Sequence, residues 1–320
     1  MTLAEMASFV CGKVRKSDAR ALVKCKGFLR QRYELIYNEA LWRDSLHVFP
    51  FTFTPNAAGV PASWESTFLM PSVVDKVVAI RTAGQEVTAV GQEVLMRGDI
   101  DQFTESGQPV EFALGSPCVA LLPAAYTFHD LQMFGGDVGQ AWRAHYIDST
   151  GNRIKVTGVF SAGTSAIAAD LVRVVERVTK QGSTTQAELT TNATDVSLSV
   201  CPAADSSFPQ RIPVRLIPGP SAATDLRALV KKKVVPLSDD GDAPELRNAD
   251  NALIAFAQGD MWEYGRQIGK ARLKYEEAGA VMTQLKQLHT WQEQTLVRAA
   301  PDVGDAAGSV GIGLSGKGVW

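Results

Sequence analysis

The glycine-rich C-terminus contains the pattern that most resembles a phosphate-binding loop. Residues 311–316 fit G-x-G-x-x-G, and residues 311–317 fit G-x-x-x-x-G-K. A phosphate loop also needs a preceding strand and a following helix whose amino terminus faces the phosphate. Only three residues follow this pattern, and Gly318 stands where a P-loop places Ser or Thr to hold magnesium. We therefore predict no nucleotide site here and no bound cofactor.

Potential metal ligands are scattered along the chain. The acidic stretch 239–242 lacks the alternating oxygens, the sixth-position Gly and the twelfth-position Glu of a calcium loop. No two cysteines or histidines have the close spacing of zinc ligands. We expect a solvated turn at 239–242, reduced thiols and no metal site. The cysteines are Cys11, Cys25, Cys118 and Cys201, and the histidines are His47, His129, His145 and His289.

Nucleophilic catalysis has little support in the sequence. No G-x-S-x-G elbow is present, and the isolated His and Cys residues have no evident partner nearby. Distant residues can meet in a folded chain, so an enzyme stays open as an alternative. We expect a protein that is not an enzyme.

A basic segment at residues 13–32 offers a different kind of chemistry. It contains eight Lys or Arg residues against one acid, Asp18. Such a segment could face phosphates, or it could be the charged face of an amphipathic helix that meets solvent or an acidic partner. We favour the helical face, since a net charge of −2 gives the whole chain no electrostatic case for wrapping nucleic acid. The basic residues are Lys13, Arg15, Lys16, Arg20, Lys24, Lys26, Arg30 and Arg32.

Composition indicates a folded chain of more than one domain. The 320 residues include 45% hydrophobic and 21% charged residues, as in ordinary globular proteins. No apolar run approaches the roughly 20 residues that span a bilayer. The opening residues lack the basic and apolar segments of a secretory signal. We expect synthesis in a cytoplasm and no membrane association.

Helical patterns occur near both ends of the chain. Thr2 and Glu5 have the spacing of a capping box, and Ser17-Asp18 predicts a second helix start. An apolar stripe at residues 22–40 then predicts a helical hairpin. A longer stripe at residues 253–288 is too long to stand as one uncovered rod. It must fold back near Gly265, Gly269 or Gly279, or be covered by other subunits.

Short strand-like runs fill the middle of the chain. Residues 141–147 and 153–157 flank a turn and predict a β-hairpin. Many short strands with few helices between them favour antiparallel sandwiches. We predict an α+β fold, in which an N-terminal helical hairpin and a long C-terminal helical segment flank antiparallel β-sandwich domains. The predicted regions are N-terminal helices (1–46), a first β region (47–125), an inserted sandwich (126–210), returning strands (211–246), C-terminal helices (247–298) and a Gly-rich arm (299–320).

Two sets of apolar residues are candidates for contacts with other molecules. The first lies on the C-terminal stripe and is predicted to pack against neighbouring subunits: Met261, Tyr264, Ile268 and Tyr275. The second lies in the glycine-rich arm, where alternate residues would share one side of an extended strand and add to a partner's sheet edge. Its members are Val310, Ile312, Leu314 and Trp320.

Three parts of the sequence resemble the head-to-tail adaptor proteins of tailed bacteriophages, also called connector or gateway proteins. They are SDAR (17–20) running through RQRY (30–33) to LWRD (41–44), MPSVVDKVVAIR (70–81), and RIPVRLIP (211–218) leading to KKKVVPLSDD (231–240) and NALIAFA (251–257). Each is also a generic packing pattern. The large insert and the Gly-rich arm depart from the smallest adaptors, which leaves the tail type open.

The resemblance implies a structural virion protein of the head–tail neck, assembled in the host cytoplasm. It implies a ring of about twelve subunits, docked on the portal and presenting a platform to the tail or tail-completion protein. Packaged DNA would pass through this ring without sequence-specific binding, and the arm would contact the portal. Alternatives are another tail, neck or baseplate ring component, or, in a different class, a carbohydrate-binding or depolymerising β-sandwich protein.

Overall fold

A computed structural model describes residues 1–16, 18–53, 67–82, 84–91, 107–121, 131–148, 150–161, 164–168, 172–181, 185–191 and 197–289. Helices lie near both ends of this part of the chain, and strands lie between them. The predicted α+β class is therefore confirmed. The arm residues Val310, Ile312, Leu314 and Trp320 lie outside the described residues.

The described residues form four α-helices, and the predicted helix starts are confirmed. They are α1 (Leu3–Val14), α2 (Ala19–Glu39), α3 (Ala249–Tyr264) and α4 (Ile268–His289). Thr2 and Glu5 form the reciprocal capping box at α1, and the Asp18 carboxylate accepts from the Ala21 amide at 2.6 Å at α2. These caps satisfy amides that have no partner within the helix.

Fifteen strands are also described, together with a short 3-10 helix at Arg43–Ser45 that precedes the first of them. They are β1 (Leu46–Phe53), β2 (Thr67–Leu69), β3 (Val74–Thr82), β4 (Glu86–Val90), β5 (Glu111–Leu114), β6 (Ala120–Leu121), β7 (Leu131–Gly135), β8 (Ala141–Asp148), β9 (Arg153–Val159), β10 (Thr164–Ala168), β11 (Val172–Lys180), β12 (Ala187–Thr191), β13 (Ser197–Cys201), β14 (Pro213–Ile217) and β15 (Thr224–Lys232). The predicted hairpin is confirmed as β8 and β9, which pair antiparallel from Ala141↔Val159 to Ile147↔Arg153.

The largest sheet has seven strands in the order β1-β15-β3-β4-β5-β14-β2. Its ladders are antiparallel except between β4 and β5, which run parallel. The expectation of purely antiparallel sheets was therefore wrong at this pair. Residues 91–110 separate β4 from β5, a connection far longer than a two-residue hairpin turn, and parallel strands require such a crossover.

Two four-stranded sheets occupy the middle of the chain, with orders β10-β7-β12-β13 and β6-β11-β8-β9. Their buried side chains belong to a single cluster that includes Met133, Tyr146, Val175 and Leu189. β6 lies before residue 126 but pairs with β11, so this pair of sheets draws a strand from the region 47–125.

The four helices share a hydrophobic core of their own, which we call the helical unit. Its fully buried members come from both ends of the chain and include Leu29, Tyr33, Leu253 and Met261. Periodic apolar residues on α1, α2 and α4 supply this core, and α3 is buried along most of its length. The Tyr37 hydroxyl donates to the Lys232 carbonyl at 3.2 Å, which ties the unit to β15 of the large sheet.

Candidate functional site

The C-terminal apolar stripe folds back at the first of its three candidate glycines. α3 ends at Tyr264, and α4 begins at Ile268 after a three-residue turn. The Gly265 amide donates to the Met261 carbonyl at 3.1 Å, and Arg266 adopts the left-handed conformation with φ 58°. The two halves of the stripe pack against each other, so a single uncovered rod does not form.

The structure divides the four predicted subunit-packing residues into two groups. Met261 is fully buried in the core of its own chain, so it is not available to a neighbouring subunit. Tyr275 is half-buried against α3. Tyr264 is exposed at the turn, and 73% of Ile268 is exposed. Only Tyr264 and Ile268 therefore offer a surface of the kind that the sequence predicted.

A charged network beneath this turn joins three helices. Asp260 on α3 accepts from the Arg32 Nε at 2.8 Å and from its Nη2 at 2.5 Å, in a bidentate pair. The Tyr275 hydroxyl on α4 lies 2.8 Å from Asp260 Oδ1 and 2.6 Å from Glu263 Oε2. The Arg32 guanidinium also lies over the Phe256 ring, 5.0 Å from its centroid. One arginine thus connects α2 to both helices of the C-terminal hairpin.

The electrostatics of this network follow from its burial. The Asp260 side chain is only 9% exposed and that of Arg32 is 29% exposed. The hydrogen bond from Arg32 to Asp260 raises the pKa of the guanidinium. Burial, followed by the hydrogen bonds to Glu263 and Asp260, raises the pKa of Tyr275 and keeps its hydroxyl protonated. A buried carboxylate with this much hydrogen bonding is satisfied, and it holds three helices in one arrangement.

The close packing at the network depends on a glycine within α3. A Cβ added to Gly259 would lie 2.5 Å from Cε1 of Tyr275, closer than carbon atoms approach. Glycine inside a helix costs about 1 kcal/mol relative to alanine, and at position 259 the absence of a side chain makes room for the Tyr275 ring. It lets the Tyr275 ring lie directly on the α3 backbone and reach Asp260.

Asp260 itself was missed in the sequence analysis. It is a charged residue on α3, where the nine further buried residues of the helix are all uncharged. A buried acid among apolar residues needs a cationic or donor partner. That signal was readable, but the identity of Arg32 as the partner requires the tertiary structure, since the two residues lie 228 positions apart.

The acidic stretch at 239–242 is a turn, as predicted, and it contacts the N-terminal helices. The Asp242 carboxylate accepts from the Asp239 amide at 2.7 Å, which is the main reason that the pKa of Asp242 is lowered. The Asp242 carbonyl accepts from the Leu3 amide at 2.8 Å, and Asp240 pairs with Lys26 at 2.6 Å. The turn therefore holds the start of α1 and part of α2.

The basic segment is divided by the fold into bound and unbound cations. Lys26 and Arg32 pair with carboxylates, and Arg30 donates to the carbonyls of Leu237 and Ser238. The remaining five have no ion pair within the described part of the chain. They lie at the end of α1, in the turn before α2 and in the first two turns of α2: Lys13, Arg15, Lys16, Arg20 and Lys24.

The cysteines and the other candidate metal ligands lie apart in the described part of the chain. All four cysteines are free and buried. Within the described ranges, no cluster of three His, Cys, Asp or Glu side chains could hold a metal ion. No helix of those ranges is long and apolar enough to cross a membrane.

No protein-family model matches the chain, and no curated protein matches it with significance.

Proposed function

We propose that this chain is a non-enzymatic structural protein of a virus particle, and specifically a head-to-tail adaptor that forms a ring between portal and tail. The proposal starts from the resemblance of residues 17–44, 70–81 and 211–257 to phage adaptors. The proposed ring would contain about twelve copies of the chain around the packaged DNA. The physical support comes from the surface of the helical unit.

The outer surface of the C-terminal hairpin is the observation that carries the proposal. Ile268, Leu273 and Leu288 on α4 are all exposed by about two thirds or more of their area. Each would remove substantial apolar surface from water if another subunit covered it, at about 25 cal/mol per Å². Leu273 and Leu288 lie on one side of α4, and Ile268 lies on a different side at the turn. The network around Asp260 ties α4 to α3 and α2.

The two four-stranded sheets support a second part of the proposal. They share one buried cluster, as the inner faces of a sandwich do. We propose that the predicted region 126–210, together with β6, forms a β-sandwich that projects from the ring toward the tail or tail-completion protein. We propose that the arm at residues 301–320 contacts the portal through four of its apolar residues: Val310, Ile312, Leu314 and Trp320.

The first test is the mass of the native assembly, measured by native mass spectrometry alone and after mixing with portal rings. A ring near a dozen subunits, or a stable complex with portal, is expected. A monomer at all concentrations that ignores portal would refute the adaptor function. A ring that ignores portal would favour another tail or baseplate component, and binding of glycans by a monomer would favour the carbohydrate-binding class.

The second test separates assembly from folding. Ile268→Asp should abolish or weaken assembly while leaving the helical content unchanged, because 73% of this residue is exposed in its own chain. The matched control is Val138→Asp, at a similarly exposed valine in the turn between β7 and β8. Equal assembly of the two variants would contradict the assigned surface.

The third test concerns the arm. Deletion of residues 301–320 should leave a folded protein that no longer cosediments with portal rings. Unchanged cosedimentation of the truncated chain would rule out the arm as the portal contact.

A further inference from the structure

One end of the helical unit carries a cluster of cations contributed by two turns. The turn between α1 and α2 and the turn between α3 and α4 meet there, because a Cβ at Gly265 would lie 2.9 Å from the Lys16 ammonium. Lys16 and Lys24 lie over the same Tyr264 ring, 5.6 and 5.5 Å from its centroid. We call this end the basic tip: Lys13, Arg15, Lys16, Arg20, Lys24, Arg266 and Lys270.

The tip has almost no negative charge of its own. Residues 13–24 and 263–270 include only two acids, Asp18 and Glu263. Asp18 caps α2 through the Ala21 amide, and Glu263 contacts the Tyr275 hydroxyl. No cation of the tip has a carboxylate partner among the described residues. Because the whole chain has a net charge of −2, the remainder of the molecule is negative and the charge is polarised toward this end.

The amino terminus of α4 adds to the positive potential. α4 begins at the tip and has no acidic residue in its first turn, whereas the Asp18 carboxylate at the start of α2 offsets the positive end of that helix. The amino-terminal end of a helix carries about half a positive charge from its unpaired amides. Arg20 and Lys24 lie four residues apart on one face of α2, about 6 Å along the axis, so their charges are presented side by side.

We propose that the basic tip binds the phosphate backbone of nucleic acid independently of base sequence. Phosphates recur about every 3.4 Å of axis along each strand of a duplex, so one backbone segment can contact several of these cations together. Lysines are four of the seven cations, and protein–protein interfaces are depleted in Lys whereas backbone contacts to DNA depend on Lys and Arg.

The aromatic residues at the tip favour backbone contact over base stacking. Tyr264 lies beneath two lysines, and Lys270 lies over the Trp262 ring at 4.5 Å from its centroid. Rings that already face ammonium groups are poorly placed to stack on bases or to enter a lipid surface. Their contribution is to hold the lysines in position through cation–π attraction.

The inference does not depend on the proposed ring, since the tip is complete within one chain. The test uses the full-length protein and a labelled duplex of about 20 base pairs, with fluorescence anisotropy at about 50 and about 200 mM salt. A single strand of the same length forms a second arm. Both should bind, more weakly at the higher salt concentration and with no dependence on sequence.

The variant that tests the site is the triple substitution Lys16→Gln, Arg20→Gln and Lys24→Gln. If all three contact phosphates, the slope of log affinity against log salt should fall by about 2.7 for the duplex. Affinity at the lower salt concentration should then fall on the order of tenfold or more. Arg20→Glu alone, at an exposed side chain without a ring contact, should also weaken binding, and it keeps the test valid if the triple variant folds poorly.

The matched control removes three cations at exposed positions on strands away from the tip: Lys76→Gln, Lys155→Gln and Arg227→Gln. This variant should bind as the unchanged protein does. The proposal is overturned if the unchanged protein binds neither probe at the lower salt concentration, or if the tip and control variants lose affinity equally. Stronger, tip-dependent binding to poly-glutamate or to vesicles containing anionic lipid would assign the tip to an acidic protein or a membrane instead, and would also overturn it.

Discussion

Replacement of Arg32 by leucine tests whether the charged network holds the helical unit together. The substitution removes both guanidinium hydrogen bonds from Asp260, which keeps only the Tyr275 hydroxyl as a partner. Because 9% of the Asp260 side chain is exposed, water cannot replace what is lost. Breaking a buried pair in this way costs about 3–5 kcal/mol. We expect the lower end, about 3 kcal/mol, since Arg32 is 29% exposed.

The double variant Arg32→Leu/Asp260→Leu isolates the cause of that loss. With the carboxylate removed, no buried charge is left unpaired, and the Tyr275 hydroxyl retains Glu263 at 2.6 Å. We expect the double variant to recover about half or more of the stability that the single variant loses. The control is Arg272→Leu, which breaks an exposed pair with Glu276 one turn along α4 and should cost under about 0.5 kcal/mol.

Urea unfolding followed by far-ultraviolet circular dichroism measures these differences, because the helices dominate that signal. The reasoning is refuted if Arg32→Leu costs no more than Arg272→Leu. It is also refuted if the double variant is less stable than the single one, since the loss would then come from packing and not from an unpaired charge.

Three further predictions follow from particular contacts. Gly259→Ala should destabilise the protein by about 1–3 kcal/mol through overlap with the facing tyrosine ring, whereas Gly269→Ala, with open space around it, should be neutral or stabilising in the same urea titration. Hydrogen bonds from Thr150 and Asn152 lower the pKa of Asp148, so the stability that its carboxylate contributes is present above the unfolded pKa of about 3.9 and is lost as pH falls through the lower folded-state pKa. The difference in melting temperature between Asp148→Asn and the unchanged protein should therefore shrink on acidification. A difference that stays constant with pH would contradict this. Burial raises the pKa of Cys118 to about 11 and raises the pKa of each of the other three thiols as well. An aromatic disulfide reagent should therefore react slowly with the native protein and should label all four thiols once the protein is unfolded. Rapid labelling of the native protein would contradict this by showing that the thiols are accessible.

The sequence by itself determined the local structure at the N-terminal helices and at one hairpin of the middle region. The capping box at Thr2 and Glu5, the start of α2 at Asp18 and the hairpin of β8 and β9 all follow from interactions within a few residues. Such interactions depend on spacing, and spacing is visible in a sequence. The α+β class followed from the same signals, because helical and strand periods differ.

Only the tertiary structure decided which residues are inside the molecule. Met261 and Ile268 lie seven positions apart on one apolar stripe, yet the turn at Gly265 buries the first and exposes the second. Periodicity defines an apolar face but does not specify what covers it. The parallel pairing of β4 and β5 was hidden for a similar reason, since partner choice in a sheet depends on the path of the intervening chain.

The partners of the charged residues could be identified only from the tertiary structure. The eight cations at residues 13–32 are equivalent in the sequence, but the structure binds Lys26, Arg30 and Arg32 within the chain and leaves the other five at the basic tip. Their surroundings come from residues more than 200 positions away, such as Asp240, Asp260 and Tyr264. Coulombic attraction depends on distance in space, and only the folded chain brings these groups together.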